Sequence, residues 1–123
     1  MTNTYATIAI VDDDDSIRHA LRQLLRAADF DALTFATAED FLRSGECAHV
    51  DCLIADINLP GMSGVALVQA IAASGSAVPV VLITARDDPA TLDLIRRAGP
   101  VPHLHKPFSD DDLFDAISRA LAA

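Results

Sequence analysis

Acidic residues and one lysine supply most of the chemistry open to this chain. Asp12, Asp13, Asp14 and Asp15 follow the apolar segment Thr7 to Val11, and Asp56 follows the apolar run CLIA. Thr84 follows a third run, VVLI, and Lys106 lies just beyond a fourth segment, Val101 to Leu104. Carboxylates crowded together raise one another's pKa or demand a cation, and an all-oxygen pocket suits Mg2+, which keeps waters and takes one or two carboxylates directly. Asp12, Asp13 and Asp56 would bring three negative charges, which Mg2+ and Lys106 together balance. Such a site is neutral and ready for an anion. Asp14 and Asp15 are better explained as the opening of a helix, whose positive end favours acid.

Positions 12 to 106 can meet only if the fold carries them to one place. Short apolar runs alternate with helix-period segments along the whole chain, the pattern of a parallel sheet with crossover helices. The strand candidates are Thr7 to Val11, Ala32 to Phe35, Cys52 to Ala55, Val80 to Ile83 and Val101 to Leu104. Five helices lie between and after them. Ile17, Leu21, Leu24, Leu25 and Ala28 make an apolar stripe on the first, and Leu113, Ile117, Ala120 and Leu121 make one on the last. Thr37 with Asp40 is a capping pair for the second helix, and Ser109 with Asp110, Asp111 and Asp112 opens the fifth.

CLIA and VVLI are apolar without alternation, so strands three and four should be covered on both faces. Pro100 and Pro102 cannot donate to a ladder and put the fifth strand at an edge. Right-handed crossovers then give a flavodoxin-like doubly wound sheet of order 2-1-3-4-5, in which ligands gather at the carboxyl ends of the strands. Those ends carry Asp12 to Asp15, Asp56, Thr84 and Lys106. The second strand ends in Phe35 and Ala36 and contributes nothing polar.

At 123 residues and 51% hydrophobic content, the chain is expected to be one domain, 1–123. No apolar run approaches the roughly 20 residues of a membrane span, and Met1 to Ala6 has no signal-peptide character, so a cytoplasmic location is expected. A net charge of -9 with no gathering of basic residues argues against direct nucleic-acid binding. Cys47 and Cys52 flank His49 but lack a fourth ligand and the paired spacing of a zinc site, and reduced thiols are expected of both. His103 and His105 share a strand face, by itself a poor metal signal.

The segments IVDDDDSIRHAL, DCLIADINLPGMSGVAL, VLITARDD and HLHKPF resemble, in order and spacing, the signature segments of response-regulator receivers of two-component signal transduction. LPGMSGVAL and HKPF are most similar to receivers that precede helix-turn-helix output domains. The resemblance implies that Asp56 accepts a phosphoryl group from the phosphohistidine of a sensor histidine kinase. It implies Mg2+ held by Asp13, Asp56 and the backbone carbonyl of Asn58, with Asp12 on one of its waters. Lys106 and Thr84 would bind the phosphoryl group, with Ala85 in the same set. Asn58 and Arg86, each two residues past a site residue, would tune its lifetime. Gly61 and Gly64 would permit the turn after Asp56, and Lys106-Pro107 would be cis.

The domain would then be a regulated switch rather than an enzyme, although it assists its own phosphorylation and dephosphorylation. Its output would run through the face of helix four, strand five and helix five, to a homodimer or to a C-terminal output domain in transcription regulation. One departure bears on that output. His103 stands where the family usually has Tyr or Phe, and an imidazole there would make switching sensitive to pH between about 5 and 8. Two rivals compete. An aspartate-nucleophile phosphatase of the haloacid-dehalogenase kind could use Asp12 and Asp14, but the chain has no room for a cap domain and places its isolated acid at strand three. A receiver fold that had lost phosphorylation would not keep all the key residues.

Overall fold

Runs of Val, Ile and Leu favour extended chain because branched side chains fit a pleated surface. In the computed structural model, which describes residues 6–122, such runs form β1 (Thr7–Val11), β2 (Asp31–Phe35), β3 (Cys52–Asp56) and β4 (Val80–Thr84), joined by a short β5 (His103–His105). Met1 to Tyr5 and Ala123 lie outside the described residues, so the expectation about the start of the chain does too. All strand pairs are parallel, in the expected order β2-β1-β3-β4-β5. The helices α1 (Asp15–Ala27), α2 (Ala38–Ser44), α3 (Gly64–Ala73), α4 (Pro89–Ala98) and α5 (Asp110–Ala122) alternate with them.

Successive strand residues point to opposite faces, and the two faces bury different helices. Ile8, Ile10, Ile54, Val81 and Ile83 pack against Leu21 and Leu25 of α1 and Leu113 and Ile117 of α5. Ala9, Val11, Leu53, Ala55 and Leu82 pack against Phe41 of α2 and Val65, Leu67 and Ile71 of α3. Every residue of β3 and β4 is buried, as unbroken apolar runs require. Each buried Leu or Ile contributes about 1.5–3 kcal/mol, so these two strands anchor the sheet.

The helix starts follow the expected chemistry. Asp14 caps α1 by accepting from Ser16 N and Ile17 N at 2.9 and 3.1 Å. The Thr37 hydroxyl accepts from Asp40 N at 3.0 Å, and the Ser109 hydroxyl from Asp112 N at 3.0 Å. Three details differ from the sequence reading. The fifth strand runs His103–His105 rather than Val101 to Leu104, because Pro100 and Pro102 have no N–H and Pro102 offers only its carbonyl, to Leu82 N at 2.9 Å. Ala28 and Leu121 fall off their stripes. Ala28 ends α1 exposed, and Leu121, near the end of α5, is exposed as well. Cys47 sits in a short 3-10 turn, Glu46–Ala48, and Cys52 is buried in β3 with its thiol pushed up to about 11 by burial.

The chain turns sharply after β3, and Gly64 is where it returns. A Cβ at Gly64 would stand 2.3 Å from the Asp56 carbonyl oxygen, whereas one at Gly45, the left-handed cap of α2, would meet nothing. Gly64→Ala should therefore cost the upper part of the overpacking range, about 3 kcal/mol, and Gly45→Ala about 1 kcal/mol from backbone conformation alone. Urea unfolding measures both, and equal losses would show that the approach at Gly64 is slack.

Candidate functional site

Three strand ends deliver the charges. β1 runs into Asp12, which is fully buried, and Asp13, which is exposed, while β3 ends in Asp56, 7% exposed. Carboxylate oxygens of all three lie within 4.8 Å of one another, and they are the acidic cluster with ligand spacing among the described residues. Beyond β5, whose neighbour Lys106 is tied to Thr84 O through its own N–H at 2.7 Å, the lysine side chain turns inward. Its Nζ donates to Asp12 Oδ2 at 2.9 Å and to Asp56 Oδ2 at 3.0 Å. The Lys106-Pro107 peptide is cis.

The electrostatics follow from this packing. Burial, the largest influence, pushes the Asp12 carboxyl above the usual range, opposed by hydrogen bonds from Asp14 N and Lys106. Burial pulls the Lys106 ammonium down, but its bonds to Asp12 and Asp56 outweigh it and hold the group above its ordinary value. Three carboxylates against one ammonium leave two negative charges. An all-oxygen cluster with that remainder fits a hard divalent cation such as Mg2+. Asn58 also stands at this edge, its N–H donating to Asp56 Oδ1 at 2.9 Å.

On the β4 side, Thr84 is 1% exposed. Its hydroxyl donates to Asn58 Oδ1 at 2.7 Å and accepts from Arg86 N at 3.0 Å. The amide of Asn58 continues to the Thr91 hydroxyl at 3.1 Å, and Thr91 donates to Asp88 Oδ1 at 2.8 Å. Arg86 turns away from the carboxylates, pairing with Asp88 at 2.9 Å with most of its side chain exposed. Ala85 is exposed and lines a groove with Ile17, Lys106, Pro107 and Phe108.

His103 stands apart from the acidic cluster. It lies opposite Leu82 in the ladder, is exposed, and lines a cleft with Asp112, Asp115 and Arg119. His105 is the residue paired with Thr84. Three participants escaped the sequence reading. Asp88 and Thr91 had a detectable signal, a capping residue followed by Pro89 and, three places on, a second polar group. Glu39 had none. Its Oε2 accepts from Met62 N at 3.1 Å and ties α2 to the turn after Asp56, while its Oε1 is buried without a hydrogen-bond partner.

Comparison with known proteins gives the chain its relatives and its family. The transcriptional regulatory protein TdiR of Thauera aromatica is 34% identical over 122 residues, which cover 98% of this chain and 53% of TdiR. The response regulator StyR has a solved structure that matches 97% of this chain and 60% of its own with a TM-score of 0.84 and 40% identity. A BeF3-activated receiver domain of DrrB matches 98% of this chain and all of its own, with a TM-score of 0.83 and 28% identity. The chain spans about half the length of the curated relatives it matches. No helix among the described residues is long and apolar enough to cross a membrane. A family model described as the response regulator receiver domain matches residues 8–118, and the chain belongs to that family, the receivers of two-component response regulators.

Proposed function

We propose that the domain is a phosphorylation switch whose acceptor is Asp56, loaded by a sensor histidine kinase with Mg2+ as cofactor. The observation that carries the reading is Lys106 Nζ spanning Asp12 and Asp56, beside the Asp13 carboxylate and one strand away from Thr84. A carboxylate oxygen of Asp56 attacks phosphorus, the bond from phosphorus to the kinase's histidine nitrogen breaks, and the imidazole keeps the electron pair. Asp13, Asp56 and the Asn58 carbonyl would hold the cation, with Asp12 on one of its waters; when bound, it neutralises charge on the transferring group. Lys106 would give up a carboxylate for a phosphoryl oxygen, and Thr84 would donate to another. Phosphoryl transfer asks the protein mainly for this positioning and neutralisation.

Output would pass through the face of α4, β5 and α5, to a second copy or to an output domain of the kind that makes the relatives longer. Leu92 of α4, 47% exposed, offers an apolar contact there. His103 lies on the same face beside Asp112 and Asp115, and its inward swing would carry the change at Thr84 to that face. Asn58 and Arg86 would set the lifetime of the acyl phosphate. For Arg86 this means leaving Asp88.

Acetyl phosphate with Mg2+ should add one phosphoryl group to the protein and none to Asp56→Asn. Intact mass of the products decides this, and undiminished labelling of the variant would overturn the assignment. Mg2+ should bind before phosphorylation and lose most of its affinity in Asp13→Ala; an unchanged titration places the cation elsewhere. Arg86→Ala should speed hydrolysis of the acyl phosphate more than twofold. A decay rate within that factor, about 0.4 kcal/mol, counts against shielding by Arg86.

A further inference from the structure

A threonine hydroxyl has one proton to donate. That of Thr84 is given to Asn58 Oδ1 at 2.7 Å, since its 3.4 Å approach to the Arg86 carbonyl is too long to compete. The direction of this bond is dictated from the far end of a chain of contacts. The Thr91 hydroxyl, and after it the Arg86 guanidinium, hold the Asp88 carboxyl below the usual carboxylate range. An ionised carboxylate only accepts, so Thr91 must donate to it, at 2.8 Å. Thr91 can then only accept from Asn58, which turns its Nδ2 toward α4 at 3.1 Å and leaves Oδ1 for Thr84. Thr91 is 1% exposed and is the third residue of α4, so the amide is held from a rigid, buried position.

We propose that Thr91 is a positioning residue that locks the Asn58 amide onto the Thr84 proton and thereby opposes occupation of Asp56 by a phosphoryl group. The inference rests on the receiver reading above. Phosphoryl oxygens only accept, so Thr84 cannot bind one without releasing Asn58. The two bonds exclude each other. Loss of the Thr84 proton leaves Asn58 Oδ1 without its donor, and the disturbance enters α4 at its first turn through Thr91. The start of α4 is thus part of the acceptor site's energetics, as well as a surface downstream of it.

Equilibrium titration with beryllofluoride in the presence of Mg2+, followed by calorimetry on the whole chain, tests the proposal. Thr91→Val removes the acceptor that orients Asn58 and should bind about three- to tenfold tighter than wild type, the worth of one hydrogen bond. Thr91→Ser restores the hydroxyl and should return to within about twofold of wild type. Asn58→Ala keeps the backbone carbonyl, removes the competing acceptor and should match Thr91→Val, and the double variant should bind no tighter than Asn58→Ala alone. A merely structural role for Thr91 predicts weaker binding in Thr91→Val and no plateau in the double variant. Unchanged or weaker binding by Thr91→Val overturns the proposal, as does unchanged binding by Asn58→Ala should the valine variant not fold. If wild type itself takes no beryllofluoride, the receiver reading falls, and this inference with it.

Discussion

One ammonium group between two carboxylates organises this molecule's functional edge. Lys106 Nζ lies 2.9 Å from Asp12 and 3.0 Å from Asp56, and both acids are buried. Carboxylates held together in poor solvent repel each other and lose hydration, a cost that the shared ammonium offsets. Removing it would leave two uncompensated charges at the ends of the neighbouring strands β1 and β3. The arrangement is also exchangeable. A cation and an anion arriving together can take over the partners that the three side chains now give one another.

The groups that would exchange partners stand on a floor of strands between two walls of loop. The floor is β3 and β4, buried throughout, with Asp56 and Thr84 as their last residues and Ile57 N bonded to Ile83 O at 2.8 Å just past them. The walls are the turn after Asp56 and the segment from Ala85 to Asp88. Gly64 packs against the Asp56 carbonyl, and Glu39 reaches from α2 to hold Met62, so the first wall is tied at both ends. The second is held by side chains: Thr84 to Asn58, Asn58 to Thr91, Thr91 and Arg86 to Asp88. Exposed ion pairs contribute little to stability, so Arg86 is free to exchange partners in a way that buried Thr91 is not.

Much of this was legible from residue order alone. Unbroken apolar runs identified β3 and β4 as central, the prolines placed β5 at an edge, and Asp14, Thr37 and Ser109 marked helix starts that they do cap. The order of the sheet followed from handedness and burial, and the order brought Asp12, Asp13, Asp56, Thr84 and Lys106 to one edge. Where β5 begins was not legible to the residue. Pro102 still contributes its carbonyl to the ladder, and only the partner strand decides which backbone groups pair.

Composition and spacing determined which groups the site contains, because the strand ends are read off periodicity and the fold has few ways to arrange them. The tertiary structure decided how those groups are engaged. Arg86 turned to Asp88 instead of the acids, His103 stood exposed in a cleft with two aspartates, and Asn58 bridged Thr84 to α4 through a buried hydroxyl at position 91. The physical reason is the range of the interactions. Hydrophobic period and capping act over one turn or one strand and leave a local imprint on the chain, whereas a hydrogen bond between residues 33 positions apart depends on the loops that bring α4 across the end of β3.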